Sequence, residues 1–478
     1  MESTGGSAST IHLQSLRDDV LVETDDEHGS LVVVSMWGEI VVKNPDDQVR
    51  ESLRRMTLGP VSLGNVSPAR GRGSSQGRVV DSLDDVLAAL SGSVVRSLGL
   101  PDGQGPVLSA VPSASDPEFP LAEIEQTRSA RLSRFATMRS CGGELVLESP
   151  LAQFRVILHQ PVAASIATAL AQPRGLAELA TLARVTPPVA HDIVAYLVAV
   201  GIVLVDAGDG RFAEDTEATW RSWTTHELMF HRRSRSRQGD GPCDTPEGEP
   251  TVSAPAVKPP PHGTRFPLPR PTPGDLAAST PLRALLEVDL ACPDFSGREL
   301  TAEQLGQLLY RSARVRGPGP PHLPHGMTHE ASQRPYFSVA CLYELEIYLS
   351  LGQCDALPRG IYHYDPAGHA LTLINRQESD LGEILDMATM AAGCVRNPAA
   401  VLTMTARMDR MRALAGAAYR TTLMHAGALQ QTIALVAATL GLAAHAVPVD
   451  AQDTVDRVLD VPWPNEVSVA ECVVDRPK

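Results

Sequence analysis

Residues 334–374 read RPYFSVACLYELEIYLSLGQCDALPRGIYHYDPAGHALTLI, and their reading decides the fold of the C-terminal half. A Pro-aromatic-Ser turn opens the stretch. Tyr343, Leu345, Ile347 and Leu349 then alternate with Glu344, Glu346, Tyr348 and Ser350, the period of a half-buried strand. Pro358, Arg359 and Gly360 turn the chain, and residues 361–364 form a second short strand. Asp365, Pro366, Ala367 and Gly368 supply the residue types of a tight turn, and residues 369–374 return. The expectation is a three-stranded meander, which by itself carries no chemistry.

The same stretch resembles a known family. Arg334-Pro335-Tyr336, Ser338, Leu342-Tyr343, Glu346 and Tyr348, then residues 360–366 with His369 and Leu371, are similar to the SagB-type peptide dehydrogenases. These are FMN enzymes of the nitroreductase superfamily that oxidise azoline rings in ribosomally made peptides. The resemblance is close over the C-terminal part of the chain and looser before it. It implies an α+β fold: a C-terminal nitroreductase-like FMN domain preceded by one or more winged-helix-like peptide-binding domains.

Composition bounds the other readings. The 478 residues are too many for one ordinary core. A net charge of −15 argues against a partner held through phosphate contacts, so no nucleic acid is expected. Seven cysteines without CxxC or Cys/His spacing suggest a reducing compartment, no disulfide framework and no metal site. The first ten residues lack a signal-peptide pattern. The apolar runs 193–205 and 433–447 are shorter than a bilayer span. No membrane partner and a cytoplasmic location are expected.

Residues 1–10 read as a disordered tail. Residues 11–135 read as an N-terminal α+β domain with the outline of a degenerate winged-helix-like copy. It would have two or three strands over 20–42, a helix over 46–56, a Gly/Ser/Arg-rich loop over 64–78 and a further helix over 82–100. Residues 136–232 read as a winged-helix-like unit, with strands over 144–156 and helices over 163–171, 176–182 and 188–200. Gly201 ends the third helix, and a strand follows at 202–205. That third helix contains no Lys or Arg, whereas a DNA-recognition helix needs donors for phosphates and base edges. A leader-peptide module that takes an extended peptide as an added strand is the better reading. Residues 233–280 are Pro-rich, an extended linker or a strand-like arm, and 281–478 form the FMN domain.

Within 281–478, an amphipathic helix over 301–311 leads into Tyr310-Arg311-Ser312-Ala313-Arg314-Val315-Arg316. Guanidinium forks match phosphate oxygens, although arginines at a helix C-terminus also complement its dipole. The segment resembles the one that grips the FMN phosphate in nitroreductases, which implies that role for Arg311, Ser312 and Arg314. The resemblance also implies flavin contacts for Ser338, Leu342, Glu346 and Gln431. Val339 and Ala340 stand where the family has two glycines, which permit backbone approaches that Val cannot.

In residues 419–431, Tyr419, Arg420, Ala426, Gly427 and Gln431 match the family, while His425 stands where Glu is usual. Ala413 and Leu414 replace a Lys-Tyr pair implicated in catalysis. Aromatising an azoline removes a ring proton as well as a hydride, so a side chain must take the proton. Tyr419, His425 and Tyr343 are the candidates. Three His between 322 and 329 lie in a loop broken by Pro and Gly and are not read as a metal site. Three functions stay open: azoline dehydrogenase, reductase of a dehydroamino acid, or leader-binding scaffold. The implied partners are a precursor peptide, cyclodehydratase-type subunits of a synthetase and a second copy of the chain. In nitroreductase relatives the C-terminal tail crosses to that second copy.

Overall fold

The computed structural model describes residues 10–25, 29–63, 83–101, 105–235, 254–277, 280–287, 295–296, 298–320, 323, 329–449 and 452–478. Two units divide it, the described residues of the first ending at Arg233 and the second taking Ser234, Arg235 and the described residues from 254 onward. The loop expected at 64–78, most of the tail at 1–10 and much of the His-rich loop fall outside the described residues.

In the first unit, β1 (Ile11–Leu16), β2 (Leu21–Asp25), β3 (Ser30–Ser35) and β4 (Gly38–Val42) precede α1 (Asp47–Met56). Asp46 caps α1 by accepting from Val49 N at 2.7 Å. A short α2 (Leu83–Ala89) follows, then β5 (Val94–Gly99) and β6 (Pro106–Pro112). The helix expected over 82–100 therefore stops at Ala89. Gly92 passes so close to Ser115 O that a Cβ would sit 2.4 Å from it. The β-branched pair Val94-Val95 then enters a strand paired with β1 and β6.

Next come β7 (Ser129–Leu132), β8 (Thr137–Cys141), β9 (Glu144–Glu148) and β10 (Phe154–Leu158). One six-stranded sheet has the order β1-β5-β6-β10-β9-β8, taking strands from both sides of residue 135, and β2-β3-β4 form a separate sheet. Among the described residues of 11–110 the helical elements are α1, α2 and a 3₁₀ turn at Ser91–Ser93.

The helical part runs α3 (Pro161–Ala169), β11 (Arg174–Gly175), α4 (Leu176–Ala183), α5 (Pro187–Ala199) and β12 (Val203–Val205). Strands β11 and β12 flank β7. Helix α5 buries Val189, Ala190, Ile193, Val194, Tyr196 and Leu197 against α3 and α4, so most of its surface is packed. Three short helices, α6 (Ala213–Thr216), α7 (Ala218–Arg221) and α8 (Thr225–Arg233), end the unit. Cys141 is disulfide-bonded, which corrects the expectation of a chain without disulfides.

The second unit begins within the expected linker. Residues 264–267 are not an open spacer: β13 (Thr264–Pro267) pairs with a strand of the main sheet. Two short helices, α9 (Pro273–Ala277) and α10 (Leu282–Leu286), precede α11 (Ala302–Ala313). Helix α11 starts on a capping box. Thr301 accepts from Gln304 N at 3.0 Å, and Gln304 accepts from Thr301 N at 3.2 Å. A two-residue pairing of β14 (Gly317–Pro318) with β15 (Ser332–Gln333) leads to the meander of β16 (Leu345–Leu351), β17 (Gly360–Asp365) and β18 (Ala370–Asn375). Then follow α12 (Glu378–Ala392), β19 (Ala400–Arg407), a 3₁₀ stretch at Met408–Ala417, α13 (Ala418–Thr439), β20 (Ala443–Val447), α14 (Gln452–Leu459) and β21 (Glu466–Asp475).

The seven-stranded sheet has the order β13-β18-β17-β16-β19-β21-β20. The meander forms as expected, but β16 is buried along both faces, not half-buried. Leu345, Ile347, Leu349 and Leu351 pack under Leu305, Leu308 and Leu309 of α11 and under Leu429 and Ile433 of α13. Tyr348 packs on the opposite face with Leu381 and Ile384 of α12 and Val455 and Val458 of α14. Each buried leucine contributes about 2 kcal/mol, and Leu308→Ala would cost roughly 2–5 kcal/mol. The C-terminal strand β21 lies between β19 and β20 of its own sheet. Strand β21 thus completes the sheet within this chain. No helix among the described residues is long and apolar enough to cross a membrane.

Candidate functional site

Three segments are linked by hydrogen bonds to residues 332–339. The first is the loop leaving α11, tied back by Arg316 N donating to Gln333 O at 2.7 Å and by the β14–β15 pairing. The second is the turn at Ser338, a 3₁₀ element Val339–Cys341 before β16. The third is α13, whose His425 Nε2 accepts from Val339 N at 2.8 Å.

The turn is held in an unusual backbone conformation. Ala340, Cys341 and Tyr343 have φ of 49°, 55° and 44°, left-handed values that cost a non-glycine residue roughly 1 kcal/mol or more each. Tertiary bonds fix it. Ser338 Oγ accepts from Tyr343 N at 2.9 Å, and His329 Nε2 lies 3.1 Å from Ala340 O. Behind His425, the Glu344 carboxylate oxygens lie 2.9 and 3.0 Å from Nδ1. Both side chains are fully buried. Because Val339 N–H can only donate, Nε2 must be unprotonated and Nδ1 carries the proton given to Glu344.

The expected phosphate residues sit together at the end of α11, each engaged within the protein. Arg311 Nη2 donates to Asp275 O at 2.7 Å and to Gln307 Oε1 at 3.0 Å, while its Nε is buried with no partner among the described residues. Ser312 is fully buried and donates to Leu308 O at 2.6 Å, so its hydroxyl is spent inside the helix. Arg314 stacks over the Tyr310 ring at 4.2 Å and donates to Tyr310 O at 2.7 Å.

Tyr343 has its hydroxyl 3.2 Å from both Arg334 O and Tyr336 O, and burial pushes its pKa above the ordinary value. Leu342 is enclosed with Met411. Glu346 is buried on the α12/α14 side of the sheet, 3.2 Å from His363 Nε2, with Arg407 Nε 3.0 Å away. Burial alone would raise the Glu346 pKa. His363, Arg407 and Arg334 outweigh that effect and hold it below the ordinary value. On α13, Tyr419 and Gln431 lie on the exposed side with Leu423, Met424 and Gly427, while His425 points inward. The structure thus brings Ser338, Tyr343 and His425 together. It sets Leu342 and Glu346 in the core and Tyr419 and Gln431 at the surface.

Sequence reasoning missed a set of buried arginines. Arg334 donates to Ala256 O and Leu345 O, both at 3.1 Å. Arg407 donates to Pro255 O at 2.9 Å, and Arg410 to Ala254 O at 2.7 Å, Leu342 O at 2.6 Å and Glu330 O at 3.0 Å. Burial, then the neighbouring Arg407 and Arg334, lowers the Arg410 pKa to about 10. Residues 254–256 are therefore clasped through their main-chain carbonyls. Lys258 extends the clasp by donating to Glu466 at 2.6 Å and to Tyr348 Oη at 2.8 Å. Carbonyl recognition leaves no mark on side-chain types, so only the Arg-Pro-Tyr motif hinted at it. Glu344 was missed because strand alternation placed it on a half-exposed face. Among the described residues no cluster of His, Cys, Asp and Glu could hold a metal.

Known proteins share parts of this chain. Residues 130–240 match the family model of cyanobactin oxidase ThcOx. The chain is 25% identical over 150 residues to the nitroreductase-like protein MJ1384 of Methanocaldococcus jannaschii, covering 31% of this chain and 69% of that one. Among solved structures it is similar to a nitroreductase-like protein from Ralstonia eutropha, with 21% identity, a TM-score of 0.36 and coverage of 46% and 93% of the two chains. It is also similar to a chain of the E. coli microcin synthetase McbBCD complex with truncated pro-MccB17 bound, with 17% identity, a TM-score of 0.34 and coverage of 42% and 74%. Over part of its length the chain is thus similar to oxidoreductases of the nitroreductase kind.

Proposed function

We propose that this chain is an FMN-dependent dehydrogenase that oxidises azolines to azoles in a ribosomally made peptide, working as a homodimer with cyclodehydratase-type partners. The observation that carries the reading is the meeting of the Ser338 turn with α13 through Val339 and His425, on a sheet face that α11 also covers. The matches to a cyanobactin oxidase model and to a nitroreductase-like relative support it.

The residues fit a flavin phosphate in one respect that the structure supplies: Arg311 Nε is a buried donor with no acceptor among the described residues, and such a group is costly to leave unpaired. Arg311 and Arg314 would exchange their present carbonyl and amide acceptors for phosphate oxygens, and Ser312 would contribute through its backbone. FMN, when bound, supplies the hydride acceptor that ring aromatisation needs. The proton falls to this chain's side chains. His425 Nε2 is occupied by Val339 N–H and the Tyr343 hydroxyl by two carbonyls, so Tyr419, 41% exposed, is assigned to proton transfer. The exposed apolar residues Leu423 and Met424 of α13 fit a subunit contact. The α3–α5 unit is assigned to leader-peptide binding, with β11 and β12 as outer strands able to accept another.

A second reading, a leader-binding scaffold without turnover, is favoured by the internal commitment of His425 and Tyr343. One experiment separates them. Purified protein is loaded with FMN and given an azoline peptide, and the product mass is read. Loss of two hydrogens supports the dehydrogenase, and gain of two supports a reductase. A colourless protein that takes up no FMN yet binds leader peptide overturns both.

A further inference from the structure

We infer that Glu344 and His425 act as a positioning pair that fixes the Val339–Cys341 turn, in which Ala340 and Cys341 hold left-handed backbone without glycine. The inference rests on the proposed reading that this turn borders the flavin.

Left-handed backbone at Ala340, Cys341 and Tyr343 persists only where the surroundings over-determine it. Local bonds within the turn are Cys341 N at 3.4 Å from Ser338 O, Leu342 N at 3.1 Å from Val339 O and Tyr343 N at 2.9 Å from Ser338 Oγ, and none of them engages Val339 N–H. His329 at Ala340 O and Arg410 at Leu342 O hold the middle and end of the turn, and its start is held by Val339 N–H donating to His425 Nε2 at 2.8 Å, with Nδ1–H given to Glu344 at 2.9 Å. Glu344 is itself anchored, its carbonyl accepting from Arg407 N on β19 at 3.1 Å. Phe337 meets the His425 ring edge-on at 5.8 Å and limits its rotation. The carboxylate selects the tautomer, and the tautomer leaves Nε2 as an acceptor aimed at the turn. Glu344 thus acts on the turn through His425, one residue before the strand that the turn feeds.

The test compares wild type with Glu344→Ala, Glu344→Gln and His425→Ala in the full-length protein. Amide hydrogen exchange of peptides over 336–343 is read without FMN, and FMN affinity is read by fluorescence. Glu344→Gln keeps an acceptor for Nδ1–H and should resemble wild type. Glu344→Ala and His425→Ala should speed exchange in 336–343 about tenfold while β16 stays protected, and raise the FMN Kd about tenfold. Unchanged local exchange, or equal effects of Gln and Ala at 344, overturns the pair. If His425→Ala does not fold, the Gln-against-Ala comparison at 344 still decides. Wild type that binds no FMN sinks the functional reading. Wild type that binds FMN, with variants that bind it equally, sinks this inference alone.

Discussion

His425 Nδ1 stands 2.9 Å from Glu344 Oε1, and the same ring accepts from Val339 N at 2.8 Å. Both ring nitrogens are therefore committed to the protein. An isolated histidine is available for proton transfer near neutrality, whereas His425 is part of the scaffold. The Lys-Tyr pair absent from residues 413–414 is not replaced at this position.

The phosphate assignment is tested by Arg311→Ala and Arg314→Ala. Each removes a charge-assisted fork, and the expected outcome is about a tenfold or greater loss of FMN retention on gel filtration. Undiminished occupancy in both variants removes these residues from the phosphate site.

Tyr419→Phe should slow turnover at least about tenfold, in the range of a lost general acid–base group, while flavin stays bound. Single-turnover absorbance of the bound flavin reads the first quantity and its occupancy the second. Full activity would take Tyr419 out of the reaction.

Arg407→Met leaves Glu346 buried with His363 as its nearest polar partner. Breaking such a buried pair costs about 3–5 kcal/mol, to be read by urea denaturation. Adding Glu346→Gln to Arg407→Met should recover part of that loss. A single-variant loss below about 1 kcal/mol would show that the pair is not coupled.

Glu471 gives a pH signature. Burial, with Asp456 nearby, raises its pKa from 4.5 to about 7. The folded state then holds a proton that the unfolded chain releases above pH 4.5. Its contribution is fully present below that pH and is lost as pH rises through about 7. The size is on the order of 3 kcal/mol. Glu471→Gln should flatten the fall in stability between pH 5 and 8 in urea titrations, and an unaltered slope would discount the shift.

Much of the second unit was legible in the residues. The meander, the buried face of α11 and the stop at Gly441 follow from local rules: period two, period 3.6, and a left-handed terminus, Gly441 having φ of 65°. The candidate segments at 311–314, 338 and 419–431 were legible too, because their chemistry lies in residue types. What local periodicity could not reveal is which faces are covered twice. Strand β16 alternates like a half-buried strand, yet helices cover both of its faces, so Glu344 and Glu346 had to find partners from α13, β17 and β19. The clasp of residues 254–256 lies further still from the sequence, since a main-chain carbonyl looks the same under every side chain. The chain itself determined its strands, its helices and the arginine and tyrosine chemistry they carry. Tertiary packing alone decided that His425 is bonded at both ring nitrogens, that the C-terminal strand stays in its own sheet, and that the Pro-rich arm is gripped by buried guanidiniums, because each depends on contacts between residues tens to hundreds of positions apart.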